Sequence, residues 1–500
     1  MSEHAQRDPL ATDHLGVDLG RRAVRGGITF LSGQAARQIL MLVTTAVLAR
    51  LLTRSDYGLV GMVIAVTGFL ETFRSFGLAE ATVRKSDLTH PQLSLLFAAN
   101  TALGAALGLL VVALAPVLAW FYSEPRVVGI ALALAPTFVI AGLSVQHRAL
   151  LRRQMRFRAL VGVDLLGMVA YSATGIALAL FGFGYWALVL AAIARETCAT
   201  VASLAASRWR PGLFLRPQGG RALLHFGAHV QVSYLINAAA AWADGVLIGR
   251  AWGVDALGLY SRAASVVFVP LRGAMESFGV VANPTLARLQ GEPGRFRLYY
   301  VQAVRLQTLL LVPSLAFLAV AAPDATRLLL GPQWDGVGAI ARALCLAAVP
   351  MPLAETHRWI SLAFGRGARV VRVSAAAGVW LLSCLAVGVR FGPIGVASGY
   401  AVGLWVVAPM ALLYATRDTP IALGDVGRAL APGVAVALCV AITAALVRAE
   451  LPATWPLVVR FAASGVASGA LGLCAASALS GHANPLRWLR ESLAGLRSGR

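Results

Sequence analysis

Residues 93–120 read LSLLFAANTALGAALGLLVVALAPVLAW, a run without one Asp, Glu, Lys or Arg. As a helix rising 1.5 Å per residue it would be about 42 Å long, enough to cross a hydrocarbon core of roughly 30 Å. Every backbone N–H and C=O inside that core has to be satisfied within the segment, so the run predicts a transmembrane helix. Working outward, comparable stretches recur near 27–50, 56–78, 127–147, 160–181, 184–206, 223–249, 255–281, 299–322, 337–363, 370–390, 393–415, 427–447 and 457–480. About fourteen spans in 500 residues leave little chain for a soluble domain, and 58% hydrophobic against 13% charged residues with a mean hydropathy of +0.73 agrees. The expected fold class is an all-α polytopic membrane protein, which excludes a secreted enzyme, a nucleic-acid-binding module and a disordered scaffold.

The formal charge of +21 belongs to topology rather than to nucleic acid. Lys85 is the sole lysine, so nearly every cation is an arginine. With the N-terminus cytoplasmic, about 27 basic residues fall on the even-numbered loops and tails and about 8 on the opposite side. That asymmetry predicts an even number of spans and both termini in the cytoplasm. Arg21, Arg22 and Arg25 precede the first span, and no signal-peptide core precedes them. Cys198, Cys345, Cys384, Cys439 and Cys474 lie singly in apolar stretches, without metal-ligand or disulfide spacing.

Leu48-Ala49-Arg50 followed by Ser55-Asp56-Tyr57-Gly58-Leu59 has a counterpart 200 residues on, in Ile248-Gly249-Arg250 followed by Asp255-Ala256-Leu257-Gly258-Leu259. The match predicts two six-helix lobes plus two extra C-terminal helices. The expected divisions are a cytoplasmic tail 1–25, an N-lobe 26–207, a linker 208–222, a C-lobe 223–416, helices thirteen and fourteen over 417–480, and a cytoplasmic tail 481–500. Paired repeats of this kind build alternating-access carriers with the substrate site near the bilayer midplane.

Catalytic chemistry is missing from the rows. No Gly-Lys-Ser/Thr loop, Asp-x-Asp pair, His-Glu-x-x-His or Gly-x-Ser-x-Gly elbow occurs, so neither an enzyme nor a cofactor or metal is expected. His225 and His229 share a helix face but lack a third ligand. The informative residues are charges inside spans, where a guanidinium or carboxylate costs about 2.5–3.5 kcal/mol and is expected to face a cavity or a partner. Arg37 and Arg262 have no acidic neighbour at helical spacing, and with Arg74 and Arg272 they predict a cationic cavity. Glu71/Arg74, Arg272/Glu276 and Glu355/Arg358 have spacings that equally suit intrahelical pairs. Glu71, Asp244 and Glu276 are the acidic gating or ion-pair candidates. Arg152, Arg153, Arg156 and Arg158, in one cytoplasmic loop, are candidates for headgroup contact, and serve equally as topology determinants and contacts to anionic membrane lipids. Planar arginine donors suit phosphate oxygens, so the passenger is expected to be anionic.

Several segments carry a family resemblance. Ala49-Arg50-Leu51-Leu52-Thr53-Arg54-Ser55-Asp56-Tyr57-Gly58, Phe76-Gly77-Leu78-Ala79-Glu80-Ala81-Thr82-Val83, Ser144-Val145-Gln146-His147-Arg148, Leu257-Gly258-Leu259-Tyr260-Ser261-Arg262-Ala263 and Leu329-Leu330-Gly331-Pro332-Gln333-Trp334 run in order along the chain. Together they resemble Wzx-type lipopolysaccharide and exopolysaccharide flippases of the multidrug/oligosaccharidyl-lipid/polysaccharide exporter superfamily. The resemblance implies residence in a bacterial inner membrane and export of undecaprenyl-diphosphate-linked oligosaccharide to the periplasmic leaflet, with polysaccharide polymerase or export machinery as further partners and no nucleic acid. It implies a cavity lined by helices one, two, seven and eight. Relatives often carry Asp-Asn before the Leu-Ile-Gly stretch, where this chain has Asp244-Gly245-Val246. The rival readings are a cation-coupled drug or metabolite antiporter of the same superfamily, for which Asp164 is the only deep acid in spans three to five, and a membrane polymerase of the same pathway.

Overall fold

The computed structural model describes residues 19–74, 77–85, 87–212, 220–452 and 454–480, without the side chains of 19–31, 84, 220–241, 280, 281, 284 and 480. Both expected tails, most of the 208–222 linker, and the His225 and His229 side chains lie outside that description. Among the described residues there is no strand. The helices are α1 (Leu19–Leu51), α2 (Arg54–Glu71), α3 (Leu78–Arg84), α4 (His90–Tyr122), α5 (Arg126–Arg153), α6 (Phe157–Leu180), α7 (Tyr185–Ser207), α8 (Gly220–Arg288), α9 (Pro293–Leu330), α10 (Val337–Ala348), α11 (Met351–Ala363), α12 (Gly367–Gly388), α13 (Gly392–Thr416), α14 (Leu423–Glu450) and α15 (Leu457–Ser480).

Each expected span coincides with a helix, and the departures have local causes. The second span stops at Glu71 rather than Leu78, because Gly77 takes a φ of +65°, incompatible with an α-helix. The tenth span divides into α10 and α11 beside Pro350 and Pro352. The seventh and eighth run on as α8, joined across the non-helical Gly253 at φ +78°, ψ −169°. Ten stretches among the described residues are long and apolar enough to cross a membrane. One of these, Gly367–Thr416, contains both α12 and α13, which fold back on each other about Gly392 at φ +79°. Gly388 and Gly395 touch there, as do Cys384 and Gly399, so this stretch crosses twice. Trp120 (79% exposed), Leu109 and Val466 point outward from the helices, as side chains that meet lipid do.

Two compact units divide the chain between Gly258 and Leu259. In the first, consecutive spans are antiparallel: Gly104 meets the Phe138 carbonyl and Gly142 the Asn100 carbonyl between α4 and α5, and Gly175 meets Ala191 between α6 and α7. The odd-numbered spans α1 and α6 run parallel, joined by Gly33 on Val161 and by a 2.6 Å hydroxyl hydrogen bond between Thr44 and Ser172. That alternation is the one the arginine distribution requires. The start of α2 is fixed by Thr53, whose backbone N–H donates to Asp56 Oδ2 at 2.8 Å while Asp56 N–H returns a bond to Thr53 Oγ1 at 3.2 Å.

The 200-residue offset reappears in the packing of α2 on the first half of α8. A Cβ on Gly58 would lie 1.9 Å from the Val254 carbonyl oxygen, and one on Gly258 would lie 2.2 Å from that of Arg54. Position 254 lies 200 residues beyond 54 and 258 beyond 58, so the two contacts exchange the positions that the sequence match pairs. Small residues let the backbones approach, the usual device where no hydrophobic drive exists between helices in lipid.

The second unit centres on Leu286, Phe296, Tyr300, Trp359 and Ile360, drawn from α8, α9 and α11. Pro323 interrupts α9 and cannot donate to the Ala319 carbonyl; Arg342 Nε of α10 takes that acceptor at 3.2 Å. Nearby, Asp324 pairs with Arg448 of α14 at 3.0 Å. The extra helices α14 and α15 pack on each other and on α9, with Gly433 against the Thr308 backbone and Gly472 against Val440.

The glycine crossing gives a first test. Gly58→Ala and Gly258→Ala should each destabilise the purified protein by about 1–3 kcal/mol, as overpacking does. Gly162→Ala, with nothing within 4 Å, should leave the unfolding midpoint in detergent unchanged. Equal midpoints for all three variants would refute the close approach.

Candidate functional site

Arg37 stands near the middle of α1 and is half-buried. Its Nε donates to Gln34 Oε1 at 3.2 Å, and among the described residues it has no ion pair. A neutral amide one turn away orients the guanidinium without cancelling its charge. Gln38, one position on, has an Nε2 shielded from solvent with no acceptor.

Arg74 lies in the turn beyond α2, not within a helix, and its Nη1 reaches Glu196 of α7 at 3.1 Å. The intrahelical Glu71–Arg74 pair therefore does not form: the helix ends at Glu71, which is exposed, and the chain turns away. Arg148 of α5 pairs with Asp164 of α6. Glu80 and Arg152 lie within electrostatic range of this group, so three cations (Arg74, Arg148, Arg152) meet three acids (Glu80, Asp164, Glu196) at the end of the first unit formed by the even-numbered loops. The cluster stays partly open, with Arg74 at 31% and Asp164 at 30% side-chain exposure, and charges that are neither dry nor fully paired do not sit against acyl chains.

Beside it a buried polar thread holds the break between α2 and α3. Asn100 Nδ2 donates to the Arg74 carbonyl at 3.2 Å, Gln146 Nε2 to Asn100 Oδ1 at 2.8 Å, and Thr82 Oγ1 to Gln146 Oε1 at 2.6 Å. Thr82, Asn100 and Gln146 are fully buried, so each of these bonds replaces water that the interior lacks. His147 bonds the Ser207 hydroxyl at 2.7 Å and packs on Trp209.

The four loop arginines separate into two pairs. Arg153 is 8% exposed and donates to the Thr82 and Lys85 carbonyls at the end of α3. Arg156 donates to the Ala206 carbonyl at the end of α7 at 2.8 Å. Both satisfy carbonyls that a helix terminus leaves open. Arg152 and Arg158 are exposed. The same capping occurs in the second unit, where Arg366 and Arg369 each reach the Arg417 carbonyl at 2.8 Å beyond α13. Arg369 also bonds the Asp418 carboxylate at 2.7 Å and holds it below the usual carboxylate range.

In α8, Asp244 is half-buried with Oδ1 accepting from Gly245 N–H at 2.7 Å. Arg262 is half-buried in the second unit. Arg272 and Glu276 are both exposed and make no ion pair with each other among the described residues; the Arg272 guanidinium lies 5.6 Å over the Phe268 ring instead. Glu355 and Arg358 do pair within α11, at 3.5 Å. Helical spacing thus forecast one of three pairs. Glu80, Arg148, Glu196 and the Thr82–Gln146–Asn100 thread escaped it because their partners lie tens of residues away.

Residues 47–338, more than half the chain, match the profile of the family described as "Polysaccharide biosynthesis protein". The chain belongs to that family. Among its relatives, the teichuronic acid biosynthesis protein TuaB of Bacillus subtilis is 27% identical over 66% of this chain and 68% of its own length. The lipopolysaccharide biosynthesis protein WzxC of Escherichia coli is 23% identical over 62% of this chain and 63% of its own length. A solved structure of the lipid II flippase MurJ, in an inward closed conformation, superposes with a TM-score of 0.75 over 91% of this chain and 99% of its own, at 12% identity. This member of the polysaccharide biosynthesis family therefore shares the fold of the lipid II flippase MurJ.

The division among the loop arginines is testable in this family member. Arg153→Ala removes two charge-assisted bonds from a buried position and should destabilise by about 1.5–3 kcal/mol. Arg158→Ala should shift the thermal midpoint in detergent by less than the scatter of replicates. A midpoint for Arg153→Ala as high as that of the parent would show that α3 needs no such cap.

Proposed function

We propose that the protein carries a polyprenyl-diphosphate-linked oligosaccharide from the cytoplasmic to the periplasmic leaflet by alternating access, in the assembly of a surface polysaccharide. The observation that supports this most is Arg37: a guanidinium midway along a membrane helix, half-open, held by an amide and balanced by no carboxylate among the described residues. The expense of such a charge is offset when a diphosphate arrives, because the planar donors of arginine match its oxygens two at a time. The names of the relatives concern surface polysaccharides, and that of MurJ concerns a lipid-linked precursor.

In this reading Arg152 and Arg158 meet the headgroup at the cytoplasmic mouth, while Arg153 and Arg156 hold the helix ends that shape it. Arg74 exchanges between Glu196 and the diphosphate, and Arg262 and Arg272 supply the positive charge of the second lobe. Asp244, Glu71 and Glu276 are the acids available for gating. A cation-coupled antiporter needs a carboxylate free to bind its ion, and the one deep acid of spans three to five, Asp164, is engaged by Arg148. Export of an anion from a negative cytoplasm is favoured by about 2.3 kcal/mol per charge per 100 mV, so no coupling ion is required.

Replacing Arg37 with Ala should reduce flipping of labelled lipid-linked sugar by reconstituted protein roughly 10–100-fold, the worth of a lost charged hydrogen bond, with insertion unchanged. Arg37→Lys should recover part of it. Normal surface polymer from cells carrying only the Ala variant would overturn the assignment.

A further inference from the structure

A groove of about 410 Å³ opens between α9 and α14 in the second unit. Arg297, Leu298, Val301 and Arg305 form one stripe of α9 along it, at helical spacings of three, four and seven, and Asp425 and Arg428 face them from the first turns of α14. Three guanidinium groups against one carboxylate leave two positive charges uncompensated. The carboxylate is itself committed: Asp425, 6% exposed, bonds Arg297 at 2.5 Å, Arg428 at 2.9 Å and the Ala422 N–H at 3.1 Å. Arg305 gives one amine to the Leu479 carbonyl at 2.9 Å and keeps an Nε that is shielded from solvent and meets no acceptor among the described residues. A donor in that condition is costly unless it finds an acceptor beyond them.

The groove also has a defined height. Arg305 is the last charge of α9 before Leu306–Ala322, a run with none, so the arginines stand where the polar first turns give way to the membrane stretch. Leu298 is 54% exposed at the same rim, and Val301 continues the apolar wall toward the span. Positive charge at headgroup level above an open apolar wall fits an amphipathic anion, and basic pockets between membrane helices are general sites for acidic lipid.

We propose that this groove holds the phosphate of an anionic phospholipid, with Arg305 and Arg428 as its donors and an acyl chain lying along Leu298 and Val301. Asp425 does not compete for the phosphate; it fixes Arg297 and the start of α14, so that the wall opposite Arg305 is rigid. The lipid bridges α9 and α14 and anchors the two C-terminal helices to the unit. The site owes nothing to Arg37, and its test requires no transport.

Full-length protein is stripped of lipid in detergent, titrated with phosphatidylglycerol, phosphatidylcholine or inorganic pyrophosphate, and followed by native mass spectrometry and thermal unfolding. Phosphatidylglycerol should bind and raise the unfolding midpoint, whereas phosphatidylcholine and pyrophosphate should do neither. Arg305→Gln and Arg428→Gln should each weaken phosphatidylglycerol about fivefold, and Arg428→Lys should restore most of the loss. Arg428 is 77% exposed, so its variant remains informative if the Arg305 variant fails to fold. Equal affinity for the two lipids, or undiminished affinity in the Arg428→Gln protein, would overturn the proposal. Stabilisation by pyrophosphate matching that of the lipid would overturn the lipid in favour of a free anion.

Discussion

A guanidinium inside a bilayer has to be answered by an acceptor, and that requirement organises this molecule. The chain uses arginine for all but one of its basic residues, and arginine cannot discharge itself by losing a proton. Its side chains therefore find carboxylates, as Arg74 finds Glu196 and Arg448 finds Asp324, or they find backbone oxygens that helices leave open. The second solution ties charge to architecture. Arg153, Arg156, Arg366 and Arg369 close helix ends, and Arg342 takes the carbonyl that Pro323 cannot engage. One population of arginines thus satisfies the backbone where helices leave it open. Arg37 stands apart because its hydrogen bond is to a side-chain amide, neither a carboxylate nor a backbone carbonyl.

The crossing of α2 over the first half of α8 obeys a different constraint. Two carbonyl oxygens sit where methyl groups would otherwise be, at Gly58 and Gly258, and the repeat places those glycines in equivalent positions. An interface of backbone against backbone gains little from side-chain interlocking and loses little when it slides. The buried polar thread Thr82–Gln146–Asn100 is of the other kind: each of its bonds fixes one helix of the first unit on another.

What the amino-acid sequence made legible follows from the range of the forces involved. Helix positions came from hydrophobic runs, which are local, and each run falls on a helix, but the helices α1, α5 and α9 extend six to eight residues past their runs into polar turns that hydropathy does not register, and Gly77, Pro350 and Gly253 set the remaining departures. Charge partners did not, because a carboxylate three residues away competes with one on another helix. Arg74 illustrates the loss: Glu71 has the right spacing, but α2 ends between them and Glu196 is within reach. Arg153 illustrates the converse, a residue whose loop neighbours suggest solvent and whose guanidinium is buried on two carbonyls.

The balance of charge in the first unit bears on how transport would be driven. Three acids meet three arginines at the mouth, so the cluster binds neither a cation nor an anion strongly while its pairs are intact. An incoming diphosphate can displace Glu196 from Arg74 without first stripping a buried ion pair, because that pair is partly open to water. The Arg148–Asp164 pair is equally open, at 25% and 30% side-chain exposure, so a cation that displaced Arg148 would also act on a pair that water already reaches. The cluster by itself therefore sets no preference between anion and cation, and the proposed anionic passenger rests on Arg37.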